Sequence, residues 1–430
     1  MSRRIGFFLL ALLPLLLAAL AVGGVLFLRQ GGFAPYRIPA GSNQPVAATA
    51  DVLAHGEYVA QLGNCISCHT MRGGVPFSGG LAFPTDYGTI HSTNLTPDPR
   101  TGLGGWSVEE FRHTMRNGVS RNGVLYPVFP YAHFAQVDDA DLDALFAWLQ
   151  HLPPTVRAAT PNRLEFPASW RPALIGWRML HYRPAPARVA AAGESPQQQR
   201  GRYLVDGLGH CAMCHGARGS MGAPLPRAEL AGGRIPGLGW YAPPLDAAQL
   251  QRYSTNELAD YLRSGTSVHG SVYGPMAEVV YGSLRHLSAE DALAMASYLK
   301  SVPAHAAART TTLAMGASSS AVSGADVYRQ RCADCHGRDG RGDGTAYPPL
   351  VDAVAVTAPD PTNAVRMILY GGMAPTTAGN PRPHSMPPFV EQLSSAEIAA
   401  VTNYIRTTWG GHSSNLSAAD IDVLHGIVID

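Results

Sequence analysis

All six cysteines of the chain fall in three C-x-x-C-H strings: CISCH (Cys65 to His69), CAMCH (Cys211 to His215) and CADCH (Cys332 to His336). In that pattern two thiols on one helical turn can form thioethers with the two vinyl groups of a haem, and the adjacent histidine presents its imidazole to the iron. Cys65, Cys68, Cys211, Cys214, Cys332 and Cys335 are therefore the expected attachment points of three covalently bound haems c, with His69, His215 and His336 as proximal ligands. No cysteine is left for a structural disulfide or for an iron–sulfur cluster, which needs four ligands of its own.

A sixth ligand must reach each iron from a loop ahead of the next long helix. Methionine suits the role because its soft thioether favours ferrous iron and raises the potential. Met386, in HSMPPFVEQLS, lies 50 residues after His336 and is preferred over Met373 in GGMAP. Met276, in YGPMAEVV, lies 61 residues after His215, whereas Met221 is too near the attachment turn and Met295 falls inside a helical pattern. The first segment departs from this plan. Aligning Arg116-x-Gly118 with Arg263-x-Gly265, 147 positions later, pairs Tyr126 with Tyr273 and puts Phe129 where Met276 stands. Phenylalanine cannot bind iron. His133, four residues further on, is the expected substitute; Met115 or His113 on the preceding stretch, or an open five-coordinate iron, are the alternatives.

The elements that must position these residues repeat three times. The lead-ins GEYVAQLGNCISCH, GRYLVDGLGHCAMCH and ADVYRQRCADCH each read as a short helix running into the motif. The closing strings DDADLDALFAWL, SAEDALAMASYL and SSAEIAAVTNYI place apolar residues three and four apart, as a helix with one buried face requires. Acidic residues gather in the first turn of each, where the helix dipole favours them. Between lead-in and closing helix the chain is rich in Gly and Pro and reads as loops wrapped around a bulky apolar insert. GRDGRGDG after His336 follows no strand and lacks the lysine of a phosphate-binding loop, so tight turns are the expectation. The six tryptophans read as packing residues.

The resulting plan has a membrane anchor over 1–30, a tether over 31–50 and haem-binding segments at 51–182, 200–302 and 325–410. Linkers occupy 183–199 and 303–324, and a tail 411–430. The apolar run from Ile5 to Leu28, behind Arg3 and Arg4, would extend roughly 36 Å as a helix, against about 30 Å of hydrocarbon. The arginines predict an N-terminus inside the bacterial cytoplasmic membrane and everything after Leu28 on the periplasmic side. With 32 basic against 31 acidic residues, composition gives no support to nucleic-acid binding. An apolar content of 46% excludes a disordered chain.

Segments of this size, with a helix at each end, resemble class I cytochrome c domains, so the expected fold is mainly α, with three such domains in tandem after a transmembrane helix. NLTPDPRTGLGGWSVEEF (Asn94 to Phe111) and TNYIRTTWGG (Thr402 to Gly411) are similar to signatures of one family. These are the cytochrome c subunits of bacterial membrane-bound periplasmic dehydrogenases. The resemblance implies an electron-transfer subunit, not an enzyme by itself. It would take electrons from a catalytic dehydrogenase subunit and pass them to ubiquinone or a terminal oxidase. LYPVFPYAHF, with Phe129 where quinoprotein-linked members carry methionine, looks more like the partners of molybdenum hydroxylases. That points to a molybdenum-type aldehyde dehydrogenase, ahead of an alcohol or sugar dehydrogenase using pyrroloquinoline quinone or flavin. A terminal-oxidase cytochrome subunit and a haem peroxidase acting at an open first haem are the remaining alternatives.

Overall fold

The computed structural model describes residues 21–25, 46–183, 191–219, 221–225, 228–305, 322–344, 346–411 and 414–425. Among them no helix is long and apolar enough to cross a membrane. The expected anchor and tether lie outside the described residues except for 21–25, which are helical, and 46–50.

Three helix pairs organise the rest. Ala50–Leu62 packs on Asp139–Leu149, Pro196–Arg202 on Ala289–Ser301, and Gly324–Arg331 on Ser395–Trp409. Each crossing is made by one glycine. A methyl group at Gly56, Gly201 or Gly324 would run into the backbone of Ala144, Ala294 or Ala400, with Trp148, Tyr298 or Tyr404 closing over the other side. Only a residue without Cβ lets the two backbones approach that closely. Glycine-to-cysteine spacing then differs, from Gly56 to Cys65, Gly201 to Cys211 and Gly324 to Cys332. The second lead-in, the longest, takes up its extra residue in a π-helical stretch, Tyr203–Leu208.

The loops between the pairs are more ordered than their composition suggests. Each contains a third helix: Val108–Asn117, Thr255–Ser264 and Thr362–Tyr370. The first two open with capping boxes, Ser107 with Glu110 and Ser254 with Glu257, and end on the left-handed glycines Gly118 and Gly265. Two-residue hairpins follow at the same 147-residue offset, Val119–Ser120 with Gly123–Val124 and Thr266–Ser267 with Gly270–Ser271. The first and second segments are thus superimposable in plan through the stretch that aligns Phe129 with Met276.

These two segments share one hydrophobic core, which includes Val59, Leu62, Leu142 and Leu145 from the first and Leu204, Leu208, Val280 and Leu299 from the second. Their contact is reciprocal. Tyr58 donates to Asp291 of the second closing helix at 2.7 Å, and Tyr203 donates to Asp141 of the first. Arg200 binds both oxygens of Asp291 at 2.8 Å, and His55 binds Asp141 at 2.7 Å. The third segment has its own core. It meets the second through polar contacts: Asn363 exchanges hydrogen bonds with the Tyr241 backbone at 2.7 and 3.0 Å, and Arg234 pairs with Asp360 at 2.8 Å.

Within the stretch expected as a tail, the described residues 414–425 include a packed helix. Helix Ala418–His425 packs into the third core, with Leu416, Ile421 and Leu424 fully buried. Each such side chain contributes about 1.5–3 kcal/mol, enough to hold two helical turns that would not form alone in water.

Candidate haem sites

In all three motifs the pentapeptide is wound into a single helical turn. The amide of His69, His215 and His336 donates to the carbonyl of Cys65, Cys211 and Cys332 respectively, each at 2.9 Å. Two thiols and one imidazole therefore project from one turn, as attachment to a planar macrocycle requires. All six cysteines are unpaired. Burial pushes the thiols of Cys65 and Cys211 up to about 12 and that of Cys332 up to about 11. Thiols held neutral in this way are poor redox nucleophiles. The turns also do not form a bare-metal site: among the described residues no group of three or more His, Cys, Asp or Glu side chains could hold an ion.

The histidines are oriented alike. Nδ1 of His69 bonds the Thr93 carbonyl at 2.7 Å, Nδ1 of His215 the Pro243 carbonyl at 2.7 Å, and Nδ1 of His336 the Pro348 carbonyl at 2.9 Å. A carbonyl can only accept, so Nδ1 carries the proton and Nε2 is left with a lone pair able to bind a metal. Burial lowers the pKa of each imidazole, which keeps it in this neutral form. The three anchoring carbonyls have no signature in the sequence. Thr93 and Pro243 lie just past the second strands of two hairpins, Gly88–His91 and Trp240–Ala242. Pro348 is delivered by the glycine-rich loop after His336, whose Gly340 and Gly342 have positive φ, as the expected tight turns require.

The distal candidates fall in distinct settings. Met276 is the second residue of helix Pro275–Gly282 and packs, partly buried, against the shared core. The preceding Gly274 turns the chain at φ 53° beneath the Trp240 ring. Met386 lies in a two-residue strand paired with Gly372–Met373 and packs against the third core, while Met373 is 55% exposed. Strand alternation sends these two methionines to opposite environments. Met221 is exposed and Met295 is buried inside the second closing helix.

Around Phe129, His113 lines a polar surface pocket with Glu109, Arg112, Arg116, Asn117 and Asp139 and contacts Asn117 at 3.2 Å. Met115 lies in the shared core. His133 sits on the short helix Tyr131–Phe134, where its Nδ1 bonds the carbonyl of Asp206 in the second segment at 2.8 Å. Burial holds His133 neutral, lowering its pKa to about 4. It therefore has the same tautomer as the three motif histidines, but it is anchored across the contact between segments.

That contact brings two attachment turns together. Leu62, at the end of the first lead-in, accepts from Ser283 at 3.1 Å, and His210, just before Cys211, reaches the Gly63 carbonyl at 3.3 Å. Burial pushes Cys68 up to about 11, and the charge of Cys214 adds to the rise.

Comparison with known proteins agrees with this geometry. A family model described as cytochrome c matches residues 198–303 and 321–409, the second and third segments. The chain is 37% identical to the cytochrome c subunit of the quinone alcohol dehydrogenase of Gluconobacter oxydans, over 87% of this chain and 82% of that one. It is 37% identical to the cytochrome c subunit of gluconate 2-dehydrogenase of Pantoea cypripedii, over 86% and 88%. Identity to one subunit of the nicotinate dehydrogenase of Pseudomonas putida is 40%, over 83% of this chain but 30% of that much longer one.

Proposed function

Because the chain belongs to the family of dehydrogenase cytochrome c subunits, we propose that it is a three-haem electron carrier serving a periplasmic dehydrogenase. The observation that carries this reading is the triple recurrence of a wound C-x-x-C-H turn whose histidine is locked through Nδ1 to a backbone carbonyl. Haem supplies a one-electron iron couple; the chain supplies attachment, axial ligands and spacing. His69, His215 and His336 hold Nε2 ready as proximal ligands, and Met276 and Met386 supply the opposite thioether in the second and third segments. His133 is the corresponding ligand for the first, where the aligned position holds Phe129. The hydrogen bonds of Ser283 to the Leu62 carbonyl and of His210 to the Gly63 carbonyl hold the first two attachment turns against one another, so electrons pass directly between the first and second segments.

The partner we favour is a molybdenum-type aldehyde or heterocycle dehydrogenase. Phe129 supports it, as does the 40% identity to a subunit named for nicotinate dehydrogenase. A second reading, service to an alcohol or sugar-acid dehydrogenase, is favoured by relatives so named that match over 82% and 88% of their own length. In either case the chain is held at the cytoplasmic membrane by its N-terminal apolar run, faces the periplasm, and passes electrons to ubiquinone or a terminal oxidase. The test is to tag the C-terminus, solubilise membranes gently, and assay the co-purifying complex for haem per chain, molybdenum, quinone cofactor and flavin. Three haems with molybdenum support the favoured partner, and three with pyrroloquinoline quinone or flavin support the second reading. Fewer than three haems per chain refute the carrier as proposed.

A further inference from the structure

Helix Thr362–Tyr370 carries a cation that has no counter-charge among the described residues. Arg366 is 0% exposed, and its Nε, Nη1 and Nη2 all lack a hydrogen-bond partner among the described residues. Other buried arginines have at least one acceptor: Arg406 gives Nη1 to the carbonyls of Val356 and Ala358, and Arg178, although its Nε and Nη1 are also unmatched and it too lies against two tyrosine rings, gives Nη2 to that of Asn117. Against Arg366 stand two aromatic faces, with the Trp240 ring centre at 5.1 Å and the Tyr370 ring centre at 5.2 Å. Asp360, on the same stretch, is already committed, one oxygen to Arg234 at 2.8 Å and the other to the Thr362 amide at 2.9 Å. Cation–π contact offsets part of the loss of water but does not neutralise a buried guanidinium, which needs a carboxylate and hydrogen-bond acceptors.

The location says where that carboxylate would come from. Trp240 belongs to the second segment. It lies beneath Gly274, two residues before Met276, and its strand ends one residue before Pro243, the anchor of His215. Arg366 therefore reaches from the third segment to a point between the two ligand-bearing loops of the second. Haem attached through its vinyl groups keeps two propionates free, and a guanidinium takes a carboxylate through paired hydrogen bonds.

We propose that Arg366 is the counter-ion of a haem propionate enclosed between the second and third segments, so that a charge supplied by the third segment sets the potential of that haem. The proposal rests on the haem-carrier reading above. The second segment's haem is the favoured source, and the third segment's haem is the other.

The experiment uses the full-length holoprotein, wild type, Arg366→Gln and Arg366→Lys. Haem is first counted per chain, and each protein is then titrated potentiometrically between about pH 6 and pH 8. Removing the cation leaves a buried carboxylate that favours ferric iron. In Arg366→Gln one of three midpoints should fall by a tenfold change in the oxidised-to-reduced ratio, which is 59 mV for a one-electron couple. That midpoint should also acquire a pH dependence that wild type lacks, and Arg366→Lys should recover most of both. Parallel Met276→Ala and Met386→Ala titrations identify whether the moving haem is the second or the third. Three retained haems with unmoved midpoints overturn the proposal. So does an equal displacement of all three in both Arg366 variants, which marks a packing role. Fewer than three haems in wild type would instead defeat the reading beneath it.

Discussion

Asp206→Asn should make the protein more stable at neutral pH, and the structure fixes both the sign and the size. Asp206 lies in the π-helical stretch Tyr203–Leu208, where its side chain accepts from Tyr298 Oη at 2.8 Å and its backbone carbonyl anchors His133. Burial pushes the carboxyl up from 3.8 to about 6; the Tyr298 hydrogen bond opposes this and Glu229 adds to it. The unfolded chain releases the proton near 3.8 and the folded chain only near 6. Between these values the folded state binds more protons, so stability falls as pH rises, and above them the full cost is present. At about 1.4 kcal/mol per pH unit, that cost is about 3 kcal/mol. Asparagine keeps an acceptor for Tyr298 and carries no charge. The variant should therefore gain about 3 kcal/mol at about pH 7.5 and nothing near pH 3.5. The assay is guanidinium unfolding of the holoprotein followed by helical circular dichroism at a series of pH values. A gain that is absent at neutral pH, or equally large in acid, would show that burial of this carboxylate is not a source of instability.

Three further outcomes follow from named contacts. Gly201→Ala drives a methyl into the Ala294 backbone and within 2.7 Å of Tyr298 Cβ, so the unfolding midpoint should drop by an amount worth about 3 kcal/mol or more; Gly176→Ala, with nothing within 4 Å, is the control. Met386→Ala should abolish one sulfur-to-iron charge-transfer band and lower one midpoint, whereas Met373→Ala, at a position 55% exposed, should do neither; the reverse result would exchange their roles. His133→Ala should turn one haem in three high-spin if His133 binds the first iron. An unchanged low-spin spectrum would leave it only its hydrogen bond to Asp206, and would move the sixth ligand to Met115 or His113.

What could be read from the sequence was what repeats. The motifs, the lead-in and closing helices and the offset pairing Arg116 with Arg263 are periodic signals, and the structure gives that offset a C-capping glycine and hairpin in both copies. Capping boxes at Ser107 and Ser254 also marked the middle helices, a signal outweighed by the glycine and proline around them. Other features had no local signature. The carbonyls of Thr93, Pro243 and Pro348 are backbone groups, usable by any residue type, and only the path of the chain brings them to an imidazole. The burial of Arg366 depends on Trp240, 126 positions earlier, and arginine is ordinarily a surface residue. The helix at Ala418–His425 is short and weakly patterned, and it is stable only because the third core has room for Ile421 and Leu424.

The way the segments are joined bears on how they would work. The first and second share a core and clasp each other through two aspartates, Asp141 and Asp291, each receiving a tyrosine from the opposite lead-in and a basic side chain from its own. Such a pair cannot separate without exposing apolar surface on both sides, so the spacing of Cys68 and Cys214 is fixed. The third segment meets the second through Asn363, Asp360 and Thr377, each binding a partner with direction as well as distance. Hydrogen bonds of this kind contribute about 1 kcal/mol each, far less than a shared core, but they fix orientation sharply. Geometry at that joint is therefore set by polar contacts, and a carboxylate enclosed by Arg366 would add the strongest of them. If the three segments carry haem as proposed, rigid coupling within the pair and a polar joint to the third segment would make the second-to-third contact the step at which electron flow is tuned without disturbing the rest of the fold.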